Sequence, residues 1–159
     1  MQTSNKIVTQ DKTQKYVLVV KQAQALCAGE SDLTANLANV TALLKETFAW
    51  FWIGFYVVQD SELVLGPFQG PVACTRIQKG KGVCGTAWEK KETILVRDVH
   101  QFPGHIACNA ASKSEIVVPI IKDNKVLAVL DVDSDELDSF DEIDAQGLKK
   151  LSLFLSSLV

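Results

Sequence analysis

Apolar residues recur at helical spacing in two segments near the start of the chain. Residues 12–28 carry one such stripe, which stops before Gly29, a residue type that commonly ends helices. A second helix is predicted to open with Ser31 or Asp32 as its N-cap and to run to about Phe48. The chain therefore begins with two amphipathic helices.

A third amphipathic helix is predicted at the other end of the chain. Ser139 and Glu142 match a capping box, in which each side chain hydrogen-bonds the backbone N–H of the other residue. Apolar residues then recur from Ile143 to Leu158 at the spacing of one helix face. Helices are thus expected at both ends of the chain.

Between these helices the apolar residues follow a period of two, which is typical of strands. Residues 51–58 and 62–68 predict one hairpin, and residues 115–121 and 125–132 predict a second. The intervening segment is predicted to hold a short strand with Cys74, a short helix from about Gly80 to Lys90, and a strand over Thr93–Val96. We therefore predict a single α+β domain over residues 1–159, with a central antiparallel sheet of about six strands flanked by the terminal helices.

One face of the first predicted strand carries Trp52, Gly54 and Tyr56, because side chains alternate along a strand. A glycine between two aromatic residues leaves a recess with aromatic walls. Core packing explains such a recess, and so does the floor of a pocket. In the second case Trp52 and Tyr56 would bind a small ligand.

The GxGxxG spacing of dinucleotide-binding loops is matched by Gly80, Gly82 and Gly85. That motif follows the first strand of a βαβ unit, whereas helices and an antiparallel hairpin come first here, so we reject a dinucleotide site. The glycines more plausibly let the backbone approach another group closely. Cys84 lies in this turn, where a helix N-terminus is expected to lower the pKa of its thiol.

Carboxylates gather at the end of the last predicted strand. One face of that strand carries Leu127, Val129, Asp131 and Asp133, and so changes from apolar to acidic. Glu115 opens the neighbouring strand, roughly opposite. Three converging acids repel one another, so at least one should hold a proton and could act as a general acid, while the cluster could bind an ammonium group. The alternative is a wet strand end whose acids only add solubility.

The same acids imitate a calcium loop. Asp131, Asp133, Asp135 and Glu142 copy the ligand spacing of an EF-hand. However, Glu136 stands at the sixth place, where that loop needs glycine, and a strand rather than a helix precedes the segment. We therefore do not expect a calcium site.

A loop rich in glycine, proline, alanine and serine surrounds Cys108. His105 precedes this cysteine by three residues, Asn109 follows it directly, and Glu115 lies seven residues on. Because reactive groups often lie in loops held by a rigid scaffold, we interpret Cys108 as a reactive thiol. His105 is close enough in sequence to favour the thiolate, although His105 and His100 are equally explained as ordinary loop residues.

Composition limits the other functions. A net charge of −3 without a basic stripe gives no reason to expect nucleic acid. The longest apolar run is far shorter than the roughly 20 residues of a membrane span, and the first fifteen residues lack the apolar centre of a signal peptide. The chain is therefore expected to be cytoplasmic.

Structural disulfides are rare in the cytoplasm, so the four cysteines are not expected to form them. They contain no CxxC pair and so fail the usual zinc spacing. Cys27 follows the inward face of the first helix and is expected to be a buried hydrophobe. Cys74, Cys84 and Cys108 are left either for redox or nucleophilic chemistry or for ordinary burial.

Six segments together match a known family. The chain resembles the free methionine-(R)-sulfoxide reductases, single-domain enzymes of the GAF fold, over nearly its whole length. Three cysteines at these intervals plus the acidic trio are more specific than periodicity, and Asn109, where aspartate is expected, is a mild departure. The matching segments are Trp52–Tyr56, Gly66–Cys74, Gly82–Ala87, Phe102–Cys108, Ser114–Glu115 and Leu130–Ser134.

The resemblance implies roles for the cysteines. Cys108 would be the nucleophile that becomes a sulfenic acid, Cys74 the resolving thiol, and Cys84 a further redox cysteine. Which of Cys74 and Cys84 reacts first with the sulfenic acid is left open. The family also implies a homodimer and thioredoxin as the reductant.

The resemblance also implies how the substrate is held. Glu115, Asp131 and Asp133 would bind the amino group and the sulfoxide, and Trp52 would pack beside the methyl group. No step requires a metal or an organic cofactor.

Two other functions fit a chain of this kind. One is a GAF module that binds a cyclic nucleotide or another small molecule without chemistry, although Ala145 follows the Phe140 and Asp144 pair where the cyclic-nucleotide signature expects an acid. The other is a thiol switch in which oxidation itself is the signal. A sensor would keep its function without Cys108, whereas a switch would form a disulfide without turning over a sulfoxide.

Overall fold

The computed structural model describes residues 5–159 and confirms the α+β class. Within this range no helix is long and apolar enough to cross a membrane. In chain order the elements are α1 (Lys12–Cys27), α2 (Leu33–Phe48), β1 (Trp52–Gln59), β2 (Glu62–Gln69), β3 (Arg76–Gln78), α3 (Gly82–Lys90), β4 (Ile94–Val96), a 3₁₀ turn (Val99–Gln101), β5 (Ser114–Lys122), β6 (Lys125–Ser134) and α4 (Glu142–Ser156).

The strands form one six-stranded sheet in the order β3-β2-β1-β6-β5-β4, with antiparallel neighbours throughout. Both predicted hairpins are confirmed, and they join through the pairing of β1 with β6. Ile53 and Phe55 pack against α1, α2 and α4 on one side of the sheet, whereas Trp52 and Tyr56 pack toward α3 on the other. Strand alternation thus divides the molecule into two cores.

Helix capping agrees with the sequence at α2 and differs at α4. Asp32 caps α2, with its side chain accepting a backbone N–H. At α4 the cap is Asp141, which forms a capping box with Asp144, so the predicted pair Ser139 and Glu142 is wrong. The Ser139 hydroxyl instead hydrogen-bonds groups of the preceding β6 end. The chain offers two candidate pairs, and the tertiary position of Ser139 selects between them.

Two predictions about strands also need correction. Cys74 lies just before β3 in extended chain rather than within a strand. The pairing of β6 with β5 passes from Ala128 to Val126, so Leu127 is the extra residue of a bulge. Val126 and Val129, rather than Leu127 and Val129, therefore face the α3 side.

A buried hydrogen-bond network ties α1 to α4. The Tyr16 hydroxyl donates to Asp144 Oδ1 at 2.6 Å, and Lys12 Nζ lies 2.7 Å from Asp144 Oδ2. Asp144 is only 1% exposed. The Asp144 that figured in the cyclic-nucleotide comparison therefore serves to join two helices.

Gly147→Ala is expected to destabilise the fold. A Cβ at Gly147 would lie 2.2 Å from Tyr16 Cγ, and the Tyr16 ring is held by buried packing and its hydroxyl hydrogen bond. Overpacking of this kind costs about 1–3 kcal/mol, although alanine normally favours a helix over glycine by about 1 kcal/mol. Urea unfolding measures the loss. Lys149→Ala is the control, because Lys149 is exposed on the same helix and its replacement should change stability by no more than about 0.5 kcal/mol. A Gly147→Ala protein as stable as wild type would contradict the packing argument.

Candidate active site

The predicted acidic cluster lies at the edge of the sheet where β1 and β5 begin and β6 ends. Asp131 lies opposite Gly54 of β1 and Val117 of β5, and Glu115 lies directly opposite Asp133. Glu115 and Asp131 are each 6% exposed, so this end of the sheet is not a wet surface. All three acids line one pocket, together with Trp52 and Cys108.

The proton affinity of these acids is high. Burial raises the pKa of Glu115 and Asp131 well above the usual range, and the charge of Asp133 raises both further. Burial also raises the pKa of Asp133 to about 6, against the opposing effect of a hydrogen bond from Ser112. The trio therefore keeps at least one proton at neutral pH.

Asp131 has an unused acceptor. Its Oδ1 is buried and has no hydrogen-bond partner among the described residues. Buried polar atoms normally have partners, so this oxygen points to a donor or cation supplied from outside the chain. Cys84 Sγ and a Glu115 carboxylate oxygen lie close by, all within 4.8 Å of one another and of an Asp131 carboxylate oxygen.

The environment of Cys84 overturns one expectation. Burial raises the pKa of this thiol well above its usual value, and Asp131 and Glu115 raise it further by repelling the thiolate charge. From the sequence, the helix N-terminus was expected to lower the pKa of the Cys84 thiol. Cys84 does lie in the first turn of α3, but desolvation and the nearby acids outweigh the helix dipole.

Cys74 and Cys108 are joined by a disulfide across 34 residues of chain, with their Cα atoms 5.3 Å apart. Cys108 lines the pocket of the acidic trio. The Tyr56 hydroxyl of β1 donates a hydrogen bond to the Cys74 carbonyl oxygen at 2.9 Å, and this bond holds the Cys74 segment in place. The structure therefore brings together the two cysteines that the family resemblance paired, and leaves Cys27 and Cys84 as free thiols.

His105 contacts Glu115 in the acidic cluster. Its Nε2 lies 3.5 Å from Glu115 Oε2. Burial lowers the pKa of His105, against the opposing attraction of Asp133. His100 is exposed in the 3₁₀ turn, away from the pocket lining.

The predicted aromatic recess at Gly54 is filled by the side chains that surround it. A Cβ at Gly54 would lie 2.6 Å from the Trp52 ring and 2.5 Å from Phe68 Cβ, so glycine lets the indole lie across the strand. The Trp52 ring stacks on Phe68 at 5.4 Å, and its Nε1 donates to the Pro71 carbonyl at 3.0 Å. Trp52 and Tyr56 both line the pocket, which gives the cavity a rigid aromatic wall.

Ser112 was not predicted from the sequence. It is buried and its hydroxyl donates to Asp133 Oδ1. One serine in a loop that also contains alanine and lysine carries no pattern that would single it out. Only the fold of the loop over the end of β6 brings it to the acid.

Known proteins are similar to this chain in sequence. The model of the GAF domain family matches residues 30–157. "GAF domain-containing protein A" of Dictyostelium discoideum is 56% identical over 147 residues, which cover 92% of this chain and 93% of that protein. The free methionine-R-sulfoxide reductase of Escherichia coli strain K12 is 49% identical over 142 residues, covering 89% and 86%. The chain belongs to the free methionine-R-sulfoxide reductase family of GAF-domain proteins.

A solved member of the free methionine-R-sulfoxide reductase family has nearly the same backbone. The enzyme of Neisseria meningitidis, in complex with its substrate, superposes with a TM-score of 0.96 at 49% identity, covering 99% of this chain and 95% of that one. The expected GAF fold is thereby confirmed for this family member.

The ionisation of Asp133 is expected to make this reductase-family protein less stable as pH rises. An acid whose pKa is raised by folding, here to about 6 from an ordinary 3.8, stabilises the fold fully only below the ordinary value, and this stability is lost as pH rises through about 6. Asp133→Asn should therefore gain stability over wild type, by roughly 1–3 kcal/mol at pH 8 and little at pH 4. Thermal unfolding across this range measures the difference. Asp135→Asn, at an exposed neighbour, should follow the wild-type profile. A constant offset for Asp133→Asn at all pH values would contradict the burial argument.

Proposed function

We propose that this chain reduces free L-methionine (R)-sulfoxide to methionine, with Cys108 as the nucleophile. The observation that carries the proposal is the Cys74–Cys108 disulfide at a pocket lined by buried, proton-holding acids. A disulfide is what thiol-based reduction of a sulfoxide leaves behind in the protein. The family relationship supports the same substrate, since the relatives from Escherichia coli and Neisseria meningitidis are free methionine-R-sulfoxide reductases.

In the first half-reaction the Cys108 thiolate attacks the sulfoxide sulfur, and a carboxylic acid of the trio protonates the sulfoxide oxygen. The oxygen then passes from the substrate sulfur to Cys108 Sγ. The S–O bond of the substrate and the transient bond between the two sulfurs both break, and Cys108 becomes a sulfenic acid. Methionine leaves. The substrate gains two electrons and Cys108 loses two.

In the second half-reaction the Cys74 thiol attacks the sulfenic sulfur, water leaves, and the Cys74–Cys108 disulfide forms. Cys84 fits this step less well, because burial and its acidic neighbours hold it as a thiol. A dithiol protein, which we take to be thioredoxin, then returns both cysteines to thiols by exchange.

The pocket favours a free amino acid over a peptide. A free methionine sulfoxide carries an α-ammonium group, which can occupy the unpartnered side of Asp131 and satisfy its Oδ1. Peptide-bound methionine lacks that charge. The indole of Trp52 would contact the S-methyl group, since sulfur and aromatic rings attract weakly. Glu115 and Asp133 complete the set that we assign to substrate binding and proton transfer.

A homodimer and recycling by thioredoxin belong to this proposal through the family resemblance. A cytoplasmic location stays a prediction from the sequence. None of the three is needed for the chemistry at Cys108.

The test is NADPH oxidation coupled through thioredoxin and thioredoxin reductase, with the (R) and (S) epimers of free L-methionine sulfoxide supplied separately. Turnover of the (R) epimer alone is expected. A parallel assay with dithiothreitol as the reductant separates a failure of thioredoxin from a failure of the reductase. No methionine formed with either reductant, from folded protein, would overturn the proposed function and favour a ligand-sensing or redox-switch role.

A further inference from the structure

A second use of the pocket is indicated by three ligand atoms that come from separate elements. Cys84 lies in α3, Glu115 opens β5, and Asp131 lies near the end of β6. One thiol sulfur and one carboxylate oxygen from each acid lie within 4.8 Å of one another. In a tetrahedral zinc site the ligands lie about 2.0–2.3 Å from the metal, so shifts of about 1 Å would close these atoms around an ion.

An independent observation points to a cation here. Asp131 is 6% exposed, lines the pocket, and keeps Oδ1 buried without a partner among the described residues. A buried carboxylate oxygen without a donor is rare because it loses its hydration without replacement. A metal ion would satisfy this oxygen, and the thiol beside it selects a thiophilic metal over calcium or magnesium.

We propose that Cys84, Glu115 and Asp131 form a binding site for a thiophilic divalent cation, Zn²⁺ in the first instance. His105 Nε2 lies 3.5 Å from Glu115 Oε2 but is not one of the three clustered ligands. Binding must displace the protons that these groups hold, so the affinity rises with pH and each binding event releases protons. The sequence spacing of the cysteines could not reveal this site, because only one of the ligands is a cysteine.

Occupancy of this site would block the substrate. The ion would neutralise the carboxylate that we assign to the substrate's ammonium group, so the two cations compete for Asp131. This consequence rests on the proposed function, whereas metal binding itself does not. The site is thus inhibitory rather than a part of the catalytic cycle.

The oxidised protein gives the sharpest test, because its disulfide removes Cys74 and Cys108 as ligands and leaves Cys27 and Cys84 as the free thiols. Zn²⁺ alone is titrated by calorimetry in two buffers of different ionisation enthalpy, and Cd²⁺ alone by its thiolate charge-transfer absorption. One equivalent of metal with proton release is expected. Cys84→Ser should weaken binding at least about tenfold and remove the Cd²⁺ absorption. Cys27→Ala, which changes a buried thiol of the other core, should bind as wild type.

Asp131→Asn provides a second variant if Cys84→Ser fails to fold, and it too should weaken binding. Equal affinity in wild type and in the folded variants would overturn the site, and so would loss of binding in Cys27→Ala. Competition is tested in the Cys74→Ser/Cys108→Ser protein, where methionine (R)-sulfoxide should weaken Zn²⁺ binding. Zinc binding without that competition would leave the metal site standing and count against the proposed substrate.

Discussion

Cys108→Ser is expected to lower kcat/KM for free methionine (R)-sulfoxide by at least about a thousandfold. A serine hydroxyl is not ionised at neutral pH and has no stable counterpart of the sulfenic acid, so the oxygen of the sulfoxide has no acceptor. The pocket itself does not depend on Cys108, since its acids and its aromatic wall come from β1, β5 and β6. The variant should therefore still bind the substrate, which the fluorescence of nearby Trp52 can report.

The matched control is Cys27→Ala. Cys27 is 3% exposed and packs in the core on the other side of the sheet, so its removal should cost stability but not activity. Single-turnover formation of methionine isolates the first half-reaction from recycling. A Cys108→Ser protein that produced methionine at the wild-type rate would require another nucleophile, and Cys84 would be the first to test.

Asp131→Asn is expected to lower kcat/KM by about 10²–10⁴-fold, chiefly through KM. Asp131 is buried, and removing one partner of a buried charge pair costs about 3–5 kcal/mol because the other charge is left without compensation. Here the other charge is the substrate's ammonium group. Steady-state kinetics with dithiothreitol as the reductant keeps recycling out of the measurement.

Stability separates this effect from damage to the fold. Burial and the charges of Asp133 and Glu115 raise the pKa of Asp131, so its ionised form strains the folded protein. The asparagine variant should unfold at the same temperature as wild type or higher. Exposed Asp135→Asn should change neither rate nor stability. Wild-type KM in Asp131→Asn would remove Asp131 from substrate binding.

Local sequence predicted most of the secondary structure because helices and strands repeat at different periods. The pairing of β1 with β2 and of β5 with β6 follows from short polar turns, and Asp32 was one of the two residues proposed as the cap of α2. The errors arose where two local solutions compete. Ser139 and Asp141 each begin a possible capping box, and a bulge at Leu127 shifts the alternation that the sequence shows as continuous.

The candidate site was predicted in its members but not in its electrostatics. The convergence of Glu115 with Asp133 follows from hairpin register, which a sequence can indicate. The pKa of Cys84 does not, because it depends on how deeply other parts of the chain bury the thiol and on which charges they bring near it. The prediction of a lowered pKa for Cys84 was wrong for that reason. The hydrogen bond from Ser112 to Asp133 could not be predicted either, because it too depends on contacts between distant segments.

The sequence by itself determined the order of the elements, the sheet of two hairpins, the set of chemically capable residues and, through its motifs, the family. The tertiary structure alone decided that His105 lies against Glu115 and that Asp131 keeps an oxygen without a partner among the described residues. It also joined Cys74 to Cys108 across 34 residues, a pairing that only the family resemblance had implied. The physical reason is the separation along the chain over which each kind of interaction acts. Periodicity and capping act between residues a few positions apart, whereas burial, charge repulsion and thiol pairing depend on contacts between distant segments that exist only in the folded chain.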